Sequence, residues 1–435
     1  MEQGATTMRF GHSALARRAG ARADSAEAAA DDAHYARLYP YYAELCALSE
    51  IRKKPGFGVQ FRSGMGGHSL LYLSGVCCDR QAGYPVLKLC DSGASPARHG
   101  VGISVNSHYK NANWVAAEGR DFVWRGALKP GERLTRDTYE RTQDHAKAVG
   151  VLDGVQFHDH LFRDKPRGMS ERDYMYEISV ATDYAVRFGR DTYRARVPLD
   201  RRRMATIVDF LNDLNAPYRK GARVFRWNIL NNNCSHVAHN ALAVANIWAP
   251  WPTGQFFAFA AFKFPVPKNE FVDLVLRTND LPIHDAQAVY EDEVARCALI
   301  EADALPTTPG ALAIVAPAIR DNEIYDIDRL RLIFYDNPFW GPYRPRFFRI
   351  FDAPRYIDLR ANLRHFATVY EMARQQRGGA RVHATTSGGG GGPRAAECER
   401  FDVLYSRYIE RAAAQVRRQL LSLDESAHAV TETVS

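Results

Sequence analysis

Residues 231–242 read Asn-Asn-Asn-Cys-Ser-His-Val-Ala-His-Asn-Ala-Leu, and this stretch decides how the chain is interpreted. Three asparagines place Cys234 where an irregular segment turns into an apolar helix. The N–H groups of a first helical turn have no partner within the helix and the helix dipole is positive there, so a thiolate is stabilised. The pattern predicts a nucleophilic cysteine. The alternative is that Cys234 is a small buried apolar side chain.

Composition limits the classes of protein that fit this chain. Its 435 residues, 46% of them hydrophobic, can bury one large core or two smaller ones. The net charge of +7 is modest and the arginines are scattered, so we expect no nucleic-acid partner. We expect no membrane span, because no run of about 18 apolar residues occurs. We also expect no secretory signal, because residues 1–34 have no continuous apolar core.

The cysteines bear on the compartment. Seven are present without a CxxC motif, and the adjacent Cys77 and Cys78 do not indicate a disulfide framework. We therefore predict a reducing, cytoplasmic location. The Ala- and Arg-rich composition favours a bacterial origin.

Two breaks divide the chain. Residues 1–34 have Phe10 as their one aromatic residue and are predicted to be a disordered leader. Residues 35–377 form the main domain, which ends at a flexible Gly-rich linker over 378–396. A helix is predicted over 397–423, followed by a polar tail over 424–435.

The main domain mixes short strands with helices. A helix is predicted from the N-cap Asp200 to a stop at 215–217, and a second one follows Cys234. Short apolar runs bounded by turn residues predict the strands, at 68–77, 85–90, 101–105, 113–117, 174–180 and 192–199. The fold class is α+β, with a mostly antiparallel sheet and packed helices.

A nucleophilic cysteine needs a base, usually histidine, within hydrogen-bond reach. His68 follows Gly64-Met65-Gly66-Gly67 and opens the strand at 68–77. Glycines beside it leave space that backbone or substrate can approach closely. His68 is therefore the candidate base.

Gly67-His68 opening a strand, a long sheet region, and Asn233-Cys234 opening a helix together resemble the circularly permuted papain-like fold. That group includes NlpC-type cell-wall peptidases and lecithin:retinol acyltransferases, in which the histidine strand precedes the cysteine helix. The resemblance covers about residues 56–248 and leaves 249–377 as an extension. It implies a thiol hydrolase or acyltransferase acting on an amide or ester bond, with Cys234 as nucleophile and His68 as base.

In such proteins a third residue on the strand after the histidine strand orients the base. Asn106 and His108 follow the strand at 101–105, and Asp91 ends the one before it. Asn106 is favoured because it continues the apolar strand, and the other two stay open.

Further candidates surround the nucleophile. The Cys234 N–H, with the side chain of Asn232 or Asn233, is the candidate oxyanion site. Turn formation and helix capping explain both asparagines equally well. Trp114, Trp248 and Phe256 are candidate substrate contacts, with burial in the core as the alternative.

No cofactor or metal is expected. Successive helical residues rotate by about 100°, so His236 and His239 cannot share one helix face with Cys234. His158-Asp159-His160 has no third ligand nearby in sequence. The expected partner is a peptide, amide or acyl small-molecule substrate. A catalytically inactive papain-like binding or scaffold protein is the alternative.

Overall fold

The computed structural model describes residues 26–59, 67–81, 84–91, 93–95, 98–253, 265–328, 330–332, 334, 336, 342–376 and 393–434. Its strands are β1 (Tyr42–Leu48), β2 (His68–Ser74), β3 (Val76–Asp79), β4 (Val86–Leu89), β5 (Val101–Ser104), β6 (Val115–Glu118), β7 (Thr192–Pro198) and β8 (Leu312–Ala316). Its helices are α1 (Ala26–Leu38), α2 (Arg120–Arg125), α3 (Arg136–Ala148), α4 (Glu171–Ser179), α5 (Arg201–Arg219), α6 (Cys234–Ala243), α7 (Pro267–Asn279), α8 (Ala286–Glu291), α9 (Glu293–Ala302), α10 (Tyr343–Asp352), α11 (Pro354–Ile357), α12 (Leu359–Gln376) and α13 (Pro393–Val434). The fold is α+β with packed helices, as predicted.

Six strands form one antiparallel sheet in the order β6-β5-β2-β1-β7-β8. Strand β1 pairs with β2 on one side and with β7 on the other, so Leu48 lies opposite both His68 and Thr192. Strands β1, β2 and β7 are buried along their whole length. We call the edge formed by Leu48, His68 and Thr192 the His68 end of the sheet.

Helices cover both faces of this sheet. Helix α6 packs on β2, and α7 packs on β1 and β7. On the opposite face, α2 packs on β5 and β6, where the Val123 side chain fills the space above Gly102. Helices α6 and α7 therefore meet at one face of the sheet, and the residues at their first turns can approach the His68 end.

Helix α1 is held to the sheet by charge. Asp32 accepts hydrogen bonds from Arg196 and Arg120, both at 2.8 Å, and Arg196 also donates to the fully buried Glu44 at 2.6 Å. The prediction that residues 1–34 are a disordered leader is thus wrong for 26–34, and 1–25 lie outside the described residues. Composition missed this helix because Asp32 and the buried Tyr35 anchor it through residues far away in sequence, with Asp32 bonded to Arg120 at the start of α2 and Arg196 on β7.

A disulfide joins Cys77 to Cys90, although the adjacent Cys77 and Cys78 do not indicate a disulfide framework in the sequence. Strands β3 and β4 pair antiparallel as a separate two-stranded ribbon, with Val76 opposite Leu89. This pairing brings the two cysteine Cα atoms to 5.1 Å, within the range that a disulfide spans. The sequence shows the two cysteines but not the strand pairing that joins them.

A second core forms where α8, α9 and α12 pack against α13. Phe401, Tyr405 and Ile409 lie on one buried face of α13, in the predicted helix over 397–423. That helix is longer than predicted, because α13 also includes residues 393–396 of the predicted linker and 424–434 of the predicted tail. Residues 377–392 lie outside the described residues.

Some predicted elements differ from the structure. The segment 174–180, predicted as a strand, lies in helix α4 up to Ser179, because the Ser170 hydroxyl caps it by accepting from the Asp173 N–H at 3.0 Å. Helix α5 starts after Asp200 as predicted but continues through Pro217 to Arg219. Strands β1 and β8 were not predicted. Within the described ranges, no helix is both long and apolar enough to cross a membrane.

Candidate active site

Cys234 is the first residue of helix α6, and Asn233 is the cap that makes the helix begin there. The Asn233 Oδ1 accepts from the Ser235 N–H at 2.8 Å and from the His236 N–H at 3.1 Å. The His236 Nδ1 accepts in turn from the Asn233 N–H at 3.3 Å. This reciprocal cap satisfies N–H groups that the helix cannot pair internally. It fixes Cys234 at the helix N-terminus, as the sequence predicted.

The first turn of α6 is held against β2. The Ser69 N–H donates to the Cys234 Sγ at 3.4 Å, and the Ser69 and Ser235 hydroxyls lie 2.8 Å apart. Cys234 is 9% exposed. Burial raises the pKa of the Cys234 thiol, and the hydrogen bond from Ser69 acts in the opposite direction.

The expected hydrogen bond between Cys234 and His68 is not formed. The His68 Nε2 lies 3.0 Å from the Ser104 Oγ, whereas the Cys234 sulfur contacts the peptide that joins His68 to Ser69. Successive strand residues point to opposite faces of a sheet. Since Ser69 faces α6, the His68 side chain points to the other face of the sheet. Leu70 lies on the same face as His68, and Ser104 is on that face too because it lies opposite Leu70 on β5. Burial lowers the pKa of His68 well below its ordinary value.

Asp183 organises the surroundings of His68. One oxygen of this buried carboxylate accepts from Ser104 at 2.6 Å, from Asn106 at 2.8 Å and from Tyr109 at 2.5 Å. Burial raises the pKa of Asp183. Asn106, the favoured third residue, thus contacts His68 only through Asp183 and Ser104. The His68 ring is oriented by Ser104 and by a backbone hydrogen bond with Thr182.

Lys268 and Arg190 bring positive charge to the His68 end. A Cβ placed on Gly67 would lie 1.8 Å from the Lys268 Nζ, so the ammonium group occupies the space that this glycine leaves. Arg190 is 1% exposed and donates to the Ala181 and Ser49 carbonyls, both at 2.7 Å. Burial, reinforced by the charge of Arg190, lowers the pKa of Lys268 to about 7, and interaction with the Cys234 thiolate opposes this shift.

The remaining predicted orienting and oxyanion residues lie elsewhere or have other partners. Asp91 has an 83% exposed side chain and pairs with Lys88 on the two-stranded ribbon. His108 is buried against the Phe157 ring. The Asn233 side chain is committed to the cap and to the Ile229 carbonyl, to which it donates at 2.6 Å. The Asn232 backbone closes a turn with Asn228.

The two described aromatic candidates for substrate contact are structural. Trp114 is fully buried and donates its indole N–H to the Leu211 carbonyl at 2.7 Å. Trp248 stacks on His239 with ring centroids 4.0 Å apart and donates to the His239 carbonyl. Phe256 lies outside the described residues. The explanation by core packing therefore holds for both tryptophans.

Sequence reasoning missed Ser104, Asp183 and Lys268. Ser104 lies in the predicted strand over 101–105, two residues before Asn106, and this position was a usable signal. Lys268 was detectable only as a lysine that follows Pro265 and Pro267, which says nothing about proximity to Cys234. Among the described residues, no group of three or more His, Cys, Asp or Glu side chains is arranged to hold a metal ion.

The arrangement places one sulfur at a helix N-terminus and one backbone N–H on that sulfur. The charge of one buried lysine also acts on the same thiol. Comparisons with family models, with curated proteins and with solved structures find no match for this chain.

Proposed function

We propose that the protein is a thiol-dependent hydrolase or acyltransferase in which Cys234 attacks the carbonyl carbon of an amide or ester. The observation that carries the proposal is the position of the Cys234 sulfur at the start of α6, bonded to the Ser69 N–H beside His68. The permuted papain-like resemblance supports the same chemistry.

Lys268 is the proposed proton acceptor. The His68 ring is bonded to Ser104, and its lowered pKa makes it a weak base. The pKa of Lys268, about 7, lets a neutral amine and an ammonium group both be populated near neutral pH. His68 then acts as a positioning residue, because its place at the start of β2 sets the Ser69 N–H against the sulfur.

The proposed reaction has two steps. The Cys234 thiol gives its proton to the Lys268 amine, and the sulfur forms a bond to the acyl carbon. The bond to the leaving amine or alcohol then breaks, and that group takes the proton from Lys268. In the second step water or an acceptor hydroxyl or amine attacks the thioester carbon and gives its proton to Lys268. The carbon–sulfur bond then breaks, and the released sulfur takes the proton from Lys268. Hydrolysis and acyl transfer differ only in this second nucleophile.

The alternative is a catalytically inactive binding or scaffold protein. Burial of Cys234 and the raised pKa of its thiol favour this alternative, because structural cysteines share both properties. Turnover by the intact chain separates the two.

The test follows release of p-nitrophenolate from p-nitrophenyl acetate by the full chain at neutral pH. Cys234→Ala should abolish release, and Lys268→Met should slow it by about 100-fold or more, as loss of a general acid–base group does. His68→Gln should slow it by less than about tenfold, as expected of a positioning residue rather than a proton acceptor. The matched control is Cys46→Ser, which alters another buried cysteine and should leave the rate unchanged.

Unchanged turnover in Cys234→Ala would overturn the function. A large loss in His68→Gln together with full activity in Lys268→Met would overturn the role of Lys268 and return the base to His68.

Substrate and compartment are also part of the proposal. We expect a peptide, amide or acyl small molecule as substrate. The cytoplasmic location and bacterial origin stay predictions, and the Cys77–Cys90 disulfide favours an oxidising compartment instead.

A further inference from the structure

The loop over residues 222–232, which we call the Trp227 loop, leads directly into Asn233 and Cys234. It exposes Val224 at 52%, Trp227 at 37% and Ile229 at 45%. The described residues include eight exposed large hydrophobic side chains, and three of the eight lie in this loop. Single exposed hydrophobic side chains scattered over a surface need no explanation, but a group of three in one short loop does.

The exposure of these side chains is imposed by a fixed backbone. Phe225 is fully buried, its N–H donates to the Lys110 carbonyl at 2.9 Å, and its carbonyl lies 3.1 Å from the His158 Nε2. Asn228 and Asn232 exchange backbone hydrogen bonds of 3.0 and 2.9 Å. With its middle and its end fixed, the loop cannot fold its apolar side chains back into the core.

The loop is also basic. Arg223 and Arg226 are exposed, and neither has a carboxylate partner in the part of the chain that the structure describes. The sequence contains no Asp or Glu between Asp213 and Glu270. The loop itself therefore combines two arginines that have no carboxylate partner among the described residues with exposed aliphatic and indole groups.

We infer that the Trp227 loop docks the protein onto an anionic lipid bilayer. Aliphatic side chains gain by entering the acyl region, a tryptophan is suited to the headgroup level, and arginines are attracted to anionic headgroups. A nucleic acid would use the arginines but would leave Val224 and Ile229 without a role. The Asn233 side chain bonds the Ile229 carbonyl, so docking would bring the start of α6 to the bilayer.

This inference goes beyond the proposed function and is tested separately from it. The full chain carrying Cys234→Ala is sedimented at low salt with vesicles of phosphatidylcholine, and with vesicles that also contain phosphatidylglycerol. We expect binding to the anionic vesicles only, weakening as salt is added.

Two variants test the loop on that background. Arg223→Gln with Arg226→Gln should weaken binding by about fivefold for each arginine, and Trp227→Ser with Ile229→Ser by about tenfold or more. Val403→Ser with Leu421→Ser removes apolar side chains that are 54% and 61% exposed on α13, and this control should bind like the parent. Circular dichroism confirms that each variant is folded.

Three results would overturn the inference. The first is failure of the parent protein to sediment with anionic vesicles. The second is binding of the loop variants that equals that of the parent. The third is binding of single-stranded RNA or an acidic peptide by the loop in preference to vesicles. Because every protein in the assay lacks the Cys234 thiol, none of these results bears on the proposed acyl chemistry.

Discussion

Gly67→Ala should destabilise the protein and disturb Lys268 at the same time. Gly67 has φ +71°, and an added Cβ would lie 1.8 Å from the Lys268 Nζ and 2.8 Å from the Leu48 carbonyl oxygen. The carbonyl belongs to β1, which is paired with a strand on each side, so moving it disturbs the sheet. The lysine is fully buried. Both neighbours must therefore shift at a cost.

The cost has two parts. A non-glycine residue in the left-handed region costs about 1–2 kcal/mol. Overpacking a well-packed site adds about 1–3 kcal/mol. The sum predicts a loss of about 2–5 kcal/mol in the free energy of unfolding.

Gly131→Ala is the matched control. Gly131 has φ +79° but no atom within 4 Å of an added Cβ, so it carries only the backbone part. Urea unfolding of both variants should show Gly67→Ala to be less stable than Gly131→Ala by about 1–3 kcal/mol. Ester turnover should fall in Gly67→Ala alone. Equal destabilisation and equal turnover would refute the placement of Lys268 beneath Gly67.

Three further predictions concern charge and covalent structure. Burial alone would raise the pKa of Glu44, but the charges of Arg194, Arg196 and Arg120 outweigh it and lower the pKa to about 2. The Glu44 carboxylate should therefore stabilise the fold above its ordinary pKa of 4.5, and this contribution should be lost as the pH falls towards 2. Glu44→Gln should lower the free energy of unfolding by about 3–5 kcal/mol. It should also flatten the fall of that free energy on the acid side of a plot against pH. The pKa of Lys268 is lowered on folding, so the unfolded chain binds more protons than the folded one between about pH 7 and 10.5. The free energy of unfolding should therefore rise with pH across that window. Lys268→Met should reduce the slope of this rise by the amount that corresponds to about one bound proton. Cys90→Ser removes the disulfide that closes a loop between residues 13 positions apart, and it should lower the free energy of unfolding by about 3 kcal/mol. Reduction of the wild-type protein should give the same loss of stability in thermal unfolding.

The local features of the fold were predictable from sequence. Asp200 and Asn233 are strong N-caps, and each starts a helix where expected. The segment 174–180 was misassigned because its Tyr and Ile content favours a strand, although Ser170 followed by Asp173 is a helix-start signal. Capping depends on neighbours in sequence, and this is why it can be recognised without a structure.

The site was predictable only in part, for a reason that lies in strand geometry. Cys234 is at the helix start that its sequence indicates, but the partner of His68 depends on which face of β2 the ring occupies. A strand sequence shows that neighbours alternate without showing which face meets α6. Lys268 reaches the site through the packing of α7 on β1, a long-range contact that leaves no local pattern.

The most direct test of the account is to find where an acyl group resides. The wild-type chain is mixed with p-nitrophenyl acetate, quenched in acid within the first turnover, and digested for peptide mass mapping. We expect an acetyl group on the Cys234 peptide that disappears as turnover completes, with Cys46 and Cys78 unmodified. An acetyl group equally distributed over these three buried cysteines, or absent from Cys234 while p-nitrophenolate is released, would contradict it.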